Sequence, residues 1–346
     1  MTIVEAAHWH PGPEQTVVCA LCPTGCTLRE GRDGPCGTRG NRGGRMVPLR
    51  YGQIAAAGLD PMEKKPLYHF LPGAPILSVA SAGCNLHCRF CQNWRLSQEP
   101  ESRAEQVTPS EVVELARQRG SVGIAYTYSE PLVWFEFVRD TARAAREAGL
   151  VNVIVSNGYL EAEPLAEMLP LLDAANIDLK CMDERFYRDI CKGHLEPVLR
   201  SIAAIHAAGI HLEVTNLVIP GHNDSDDQLI RLRDHVADLS PEIPLHLSAY
   251  RPAWCFDAPP TPPATLQRAA ELCAQRLHHV FTGNLDLPDW TDTRCPQCGE
   301  VAISRQGYEV RCRLTGPRCP GCGHELSVVL QPSSPQSESP PQPGSM

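Results

Sequence analysis

Between about residues 75 and 284 the chain alternates short apolar or β-branched runs with longer amphipathic ones. "APILSVA" reads as a strand, "PSEVVELARQRG" as a helix closed by Gly120, and "VGIAYTY" as a second strand. "PLVWFEFVRDTARAAREAG" follows as a helix, with Pro131 suited to its first turn and Gly149 to its end. "VNVIVS", "AANIDLK", "HLEVTNLVI" and "PLHLSAY" continue the strands, separated by helical stretches around 161 to 172, 184 to 207 and 225 to 238. Six βα units in succession predict an α/β fold with a parallel sheet, because each parallel connection needs a crossover that a helix supplies. Periodicity leaves open whether that sheet closes into a barrel.

The flanks break the rhythm. Residues 1 to 50 are rich in Gly, Arg and Cys and weakly periodic, which predicts a small Cys-rich module or flap rather than an independent core. Residues 51 to 285 then form the α/β core, 286 to 331 a second Cys-rich module, and 332 to 346, rich in Pro and Ser, a disordered tail. At 346 residues with 42% hydrophobic content the chain can fill a substantial core. No apolar run approaches the ~20 residues of a membrane helix, and the first residues lack a secretory pattern, so the expected address is the cytosol, with no membrane partner. A formal charge of −9 argues against a general nucleic-acid coat.

Sixteen cysteines change the picture. Eleven fall into three short-spaced sets, which in a cytosolic chain read as metal sites rather than disulfides. Of the scattered five, Cys181, Cys191, Cys255 and Cys273 read as small buried hydrophobes, and Cys312 stands near the last set. The middle set, Cys84, Cys88 and Cys91 in "AGCNLHCRFCQNW", has no fourth partner nearby. Three thiolates suit zinc with an open position or an iron–sulfur cluster, and the residues alone leave both open.

Position adds to chemistry. In parallel α/β folds ligands collect at the carboxyl ends of strands, and the trio follows the first predicted strand. Glu130, Asn157, Asp178, Lys180, Asn216 and Arg251 follow or end the later ones. Each alone is explained by a cap or a strand-end hydrogen bond, whereas six converging loops predict an active-site rim.

With these residues in place the chain resembles the radical SAM superfamily, marked by C-x3-C-x2-C after the first strand of a partial (βα)6 TIM-type barrel. "EKKPLYHFLPG", "AYTYSEP", "SNGY", "NIDLK" and "LVIPGHND" extend the likeness to the pyruvate formate-lyase activating enzyme group, and most closely to the AmmeMemoRadiSam-system radical SAM proteins. The resemblance implies that Cys84, Cys88 and Cys91 bind a 4Fe-4S cluster whose open iron takes S-adenosylmethionine, with Phe90 as the aromatic residue before the last cysteine. It implies reductive cleavage to a 5′-deoxyadenosyl radical that abstracts hydrogen, fed by a reductant such as flavodoxin or ferredoxin. Ser129 and Glu130 match positions near the methionyl amino group, and Asp178 and Lys180 a pair near the cofactor. Asn157 belongs to "SNG". Arg251 stands roughly where the group has a His, and Val155 replaces an Asp, which argues against a cation site like theirs. A protein substrate activated at Gly is the first expectation, and a small molecule or modified macromolecule the alternative. Memo-type and AMMECR-type proteins are partner candidates by the same resemblance.

The outer sets are different. Cys19, Cys22, Cys26 and Cys36 form a complete set of four, fitting zinc or an auxiliary iron–sulfur cluster, with a metal-free flap as the bland alternative. Cys295, Cys298, Cys319 and Cys322 match zinc-ribbon spacing, C-x2-C on either side of twenty residues, and predict a structural zinc. Cys312 and His324 are read as bystanders. A non-catalytic zinc and nucleic-acid-binding protein would explain these outer sets and leave the trio without a role.

Overall fold

The computed structural model describes residues 4–99 and 103–331, so the expected disordered tail lies outside the described residues. Its centre is one sheet of eight strands: β1 (Ala56–Pro61), β2 (Pro75–Ala80), β3 (Gly123–Tyr126), β4 (Val151–Ser156), β5 (Ala174–Asp178), β6 (His211–Val218), β7 (Leu245–Ala249) and β8 (Val280–Gly283). Their spatial order is their chain order, β1 to β8, with β1 antiparallel to β2 and every later pair parallel. The order is linear, so the sheet stays open between β8 and β1. The α/β class and parallel sheet are those expected, with one more parallel strand than the six foreseen.

Helices supply the crossovers: α1 (Pro109–Gln118), α2 (Phe135–Glu147), α3 (Ala162–Met168), α4 (Leu195–Ala207), α5 (Asp226–Leu239) and α6 (Pro263–Cys273). Local sequence explains their starts. Thr108 and Glu111 close a capping box on α1 with Pro109 in its first turn, and the Ser225 side chain caps α5. In α2, Phe135, Val138, Ala142 and Ala145 recur on one face and are buried. The strands carry no exposed residue in β3 to β5, as expected when helices and neighbouring chain cover a parallel sheet.

Some boundaries differ from expectation. The stretch from Pro131 begins as a 3-10 turn, Pro131–Val133, and breaks at Trp134 before α2. Trp134 leaves helical geometry there, and its indole donates to the Arg50 carbonyl at 2.7 Å. The helix foreseen over 184 to 207 splits into Glu184–Phe186, a π turn Tyr187–Cys191 and α4, because Lys192 takes a left-handed conformation between them. Cys181, Cys191 and Cys273 are buried, but Cys255 is exposed. It lies in the turn Ala253 to Phe256, where Phe256 takes the buried place.

The N-terminal residues form short strands, Trp9–Pro11, Val17–Cys19 and Thr27–Leu28, followed by a hairpin of Arg39–Arg42 and Arg45–Pro48. Val17, Leu21, Leu28 and Met46 join the main apolar core rather than a core of their own. A buried ion pair, Arg39 with Glu136 of α2, ties this region down. At the other end, Thr293–Arg294, Val301–Gln306 and Glu309–Cys312 make a small antiparallel sheet with a separate core around Ala302, Ile303 and Leu326. It is fastened by buried Arg305, which pairs with Glu63 at 3.4 Å and donates to the Tyr68 carbonyl at 2.6 Å. Among the described residues no helix is long and apolar enough to cross a membrane.

Candidate active site

A cavity of ≈ 340 Å³ opens at the carboxyl ends of the strands. Cys84, Cys88 and Cys91, on the loop after β2, line it together. So do Phe90 of the same loop, Ser129, Glu130, Asn157 and Lys180 from the loops after β3, β4 and β5, and Asp178 at the end of β5. Two rim candidates lie elsewhere. Asn216 sits inside β6, and its amide donates to the Leu179 carbonyl at 2.7 Å, so it secures the loop after β5. Arg251 is exposed and does not line the cavity.

Glu130 is held by its surroundings. Its Oε1 accepts from the Leu132 amide at 2.9 Å and the Ser156 hydroxyl at 2.8 Å, and its Oε2 accepts from the Asn157 amide at 2.8 Å. A carboxylate offers about four lone-pair sites, so three donors fix its plane and leave one acceptor position. Burial pushes its pKa up to about 7 despite those donors. Next to it the Asn157 amide donates to Asn85 Oδ1 at 2.9 Å and reaches Cys84 Sγ at 3.6 Å. The Ser129 hydroxyl donates to the Ser81 carbonyl at 2.5 Å, bracing the loop after β3 against the end of β2.

Across the cavity Lys180 Nζ lies 3.1 Å from Asp178. Burial disfavours the ammonium, but Asp178 and the thiols of Cys88 and Cys191 outweigh it and hold the Lys180 pKa well above its usual value. Phe90 packs between Phe186 and Phe256, at centroid distances of 5.7 and 6.0 Å, and gives the cysteine loop an apolar backing.

Sequence reasoning missed several lining residues. Tyr128 takes a left-handed backbone, φ 69°, and its ring lies 4.4 Å from Lys65 Nζ. Asn284 follows β8, a strand too short to be noticed, and Ser248 lies in β7. Cys191, read as an ordinary buried thiol, lies beside Cys88 and is the main influence that lowers the Cys88 pKa. The π turn that ends at Cys191 also accepts the amides of His87 and Arg89 at 2.8 and 3.1 Å, so it backs the cysteine loop. A π turn has no sequence signal of the kind that marks a helix cap.

A larger groove of ≈ 940 Å³ adjoins the cavity between β8 and the C-terminal module. Lys64, Pro66, Ser248 and Asn284 line both. In the C-terminal module, Cys295 and Cys322 bring their sulfurs to 3.6 Å, as do Cys298 and Cys319, and all four lie within 4.8 Å of one another. Cys312 and His324 are not part of that group.

A family model, the radical SAM superfamily, matches residues 78–233, the stretch that carries the cysteine loop and the rim. The chain belongs to the radical SAM superfamily. Its membership implies a 4Fe-4S cluster and S-adenosylmethionine, and an enzyme of the radical SAM type, which removes the non-catalytic reading. An uncharacterized protein of Methanocaldococcus jannaschii is 40% identical over 334 residues, covering 94% of this chain and 99% of its own. The pyruvate formate-lyase 1-activating enzyme of Escherichia coli K12 is 26% identical over 175 residues, 49% of this chain and 71% of that one. Among solved structures, a radical SAM methyltransferase from Sphaerobacter thermophilus shares the fold with a TM-score of 0.50 at 15% identity, over 62% of this chain and 68% of its own.

The residues present fit both groups. Three thiols line one cavity with no fourth cysteine among its lining residues, and its volume falls in the range of small-molecule sites, ~300–1,000 Å³. An anchored carboxylate and a lysine face it from separate loops, a donor set suited to the amino and carboxylate ends of an amino acid.

Proposed function

We propose that the chain binds a 4Fe-4S cluster through Cys84, Cys88 and Cys91 and S-adenosylmethionine beside it, and generates a 5′-deoxyadenosyl radical for hydrogen abstraction. The observation that carries this is the shared cavity of the three cysteines with Glu130, Asn157 and Lys180. When bound, cluster and cofactor supply a one-electron reductive cleavage of a carbon–sulfur bond. The chain's own groups orient and shield. The remaining acceptor site of Glu130 receives the methionyl ammonium, with Ser129 fixing the loop. Lys180, steadied by Asp178, receives the carboxylate, and Asn157 donates toward the Cys84 sulfur. Phe90 keeps water from the cysteine loop.

The activating-enzyme relative supports a protein substrate on which a glycyl radical is formed. The groove continuing toward the C-terminal module supports a substrate larger than a metabolite, a macromolecule included. A one-electron donor of the flavodoxin or ferredoxin class completes the electron balance. Memo-type and AMMECR-type proteins are the partners that the sequence resemblance points to. Cys295, Cys298, Cys319 and Cys322 hold a structural zinc, a reading supported by their sulfur spacing. A cytosolic setting goes with sixteen cysteines of which none forms a disulfide.

The test is anaerobic. Reconstituted protein with a one-electron reductant should convert S-adenosylmethionine to 5′-deoxyadenosine and methionine, and Cys84→Ala/Cys88→Ala/Cys91→Ala should abolish this. Cleavage at an unchanged rate in the triple variant overturns the assignment. Transfer of deuterium from a labelled candidate partner into 5′-deoxyadenosine identifies the substrate.

A further inference from the structure

Tyr128 stands where a side chain is costly. The Ser129 amide donates to the Thr127 carbonyl at 2.9 Å, closing a three-residue turn directly after β3, and Tyr128 at its centre has φ 69°. These are the marks of the rarer and strained form of the γ-turn, whose positive φ glycine adopts freely and a residue with a Cβ does not. Strain of this kind persists only where the surrounding structure over-determines it.

Here the surroundings are the edge strand β1 and the stretch that follows it. The Tyr128 hydroxyl donates to Asp60 Oδ2 in β1, an oxygen that also receives Lys65 Nζ at 2.8 Å. Lys64 Nζ holds the other carboxylate oxygen at 2.7 Å. Lys65 is fully buried, and besides Asp60 it meets the Tyr128 hydroxyl at 3.5 Å and the ring at 4.4 Å. Both lysines come from "EKKPLYHFLPG", which contributes none of the cofactor contacts proposed above.

The turn decides where the chain goes next. Thr127 still pairs with β2, its amide donating to the Val79 carbonyl at 3.1 Å, whereas Ser129 and Glu130 have crossed to the cysteine loop. There the Ser129 hydroxyl donates to the Ser81 carbonyl, and the Glu130 amide donates to the Gly83 carbonyl at 3.3 Å, next to Cys84. A negative φ at Tyr128 would send the chain off β3 in another direction.

We propose that Tyr128 is a positioning residue for S-adenosylmethionine, a role that rests on the function proposed above for Glu130. Bolted through its hydroxyl to Asp60 and Lys65, Tyr128 holds the turn that presents Ser129 and Glu130 to the methionyl ammonium. The hydroxyl is engaged by Asp60, which does not line the cavity, so Tyr128 acts through the backbone rather than by touching the cofactor.

Two substitutions at this position separate the roles. Tyr128→Phe keeps the ring beside Lys65 and leaves Asp60 with both lysines, so the buried charges stay paired while the bolt is gone. The strained turn then competes with relaxed ones; populated in about one molecule in ten, it raises the apparent Kd for S-adenosylmethionine about tenfold. Tyr128→Gly loses bolt and ring together, yet glycine enters positive φ about as readily as negative, so Kd should remain within about threefold of the parent. Anaerobic titration calorimetry on the full chain, reconstituted with iron and sulfide, reads both values. Iron content equal to the parent's reports an intact cysteine loop, and in 5′-deoxyadenosine formation the loss should appear in KM rather than kcat. Tyr128→Phe binding within about twofold of the parent overturns the proposal. So does Tyr128→Gly binding as weakly as Tyr128→Phe, which would assign the ring a direct contact, and so does iron lost from Tyr128→Phe, which would make the turn a support of the cysteine loop. A parent protein that loads iron and binds no S-adenosylmethionine sinks the reading of Glu130 itself, and this inference with it.

Discussion

Glu130→Gln separates stability from cofactor binding, because the two respond in opposite directions. In protein without its cluster the buried carboxyl has a pKa of about 7, against an ordinary 4.5. A folded-state pKa raised in this way contributes stability that is fully present below pH 4.5 and is lost as pH rises through 7. At ~1.4 kcal/mol per pKa unit the loss amounts to about 3 kcal/mol. Glutamine does not ionise and escapes it. It also has a single acceptor oxygen, so if that oxygen keeps Leu132 and Ser156, the side-chain amide faces the Asn157 amide donor, an unsatisfied buried contact costing ~1–3 kcal/mol at every pH.

Urea titrations of both proteins at pH 5 and pH 8 therefore should show the stability difference moving by about 2.5 kcal/mol in favour of the variant as pH rises. Cofactor affinity should move the other way. Loss of a charge-assisted hydrogen bond worth ~1.5–3 kcal/mol weakens S-adenosylmethionine binding roughly tenfold to a hundredfold at pH 8 in reconstituted protein. A stability difference that is flat between the two pH values refutes the buried-carboxyl argument. Binding within twofold of the parent refutes the ammonium assignment.

Three further outcomes follow from the geometry. Glu136→Ala leaves buried Arg39 with the Ala7 carbonyl and Cys19 sulfur but no counter-charge, and should cost about 3–5 kcal/mol in urea unfolding. Gly83→Ala forces a left-side backbone and a clash with the Cys36 carbonyl, and should cost at least ~1–3 kcal/mol, with cluster iron at Cys84 falling more than circular dichroism does. For Glu213, burial would raise the carboxyl, but hydrogen bonds from His211 and His246 overcome this and hold its pKa well below normal. Its stabilisation is present above the ordinary carboxylate pKa and is lost as pH falls, so Glu213→Gln should flatten the acid limb of a stability curve measured from pH 7 down to 3.

Rim residues were legible where a long apolar run ended beside them. Glu130, Asn157, Asp178 and Lys180 all follow or end strands whose burial on both faces makes the run unmistakable. Asn284 was not, because β8 has four residues and includes Thr282 and Gly283. The antiparallel edge β1, "AAGLDP", carries Gly and Pro and too little apolar mass to register as a strand. Arg251 shows the limit of counting from a strand end, since two residues beyond β7 the chain has already turned outward. Cys191 shows another. Its place beside Cys88 depends on a π turn and on contacts across a hundred residues of chain, which spacing does not report.

The wall shared by the inner cavity and the outer groove, Lys64, Pro66, Ser248 and Asn284, has a consequence for how the reaction is protected. In the proposed reaction a radical formed in the inner cavity would meet the groove across these four residues. A substrate seated in the groove, as proposed above, would then itself cover that side of the chamber. Fit to the groove and exclusion of water from the cavity would on that reading be set by the same contacts.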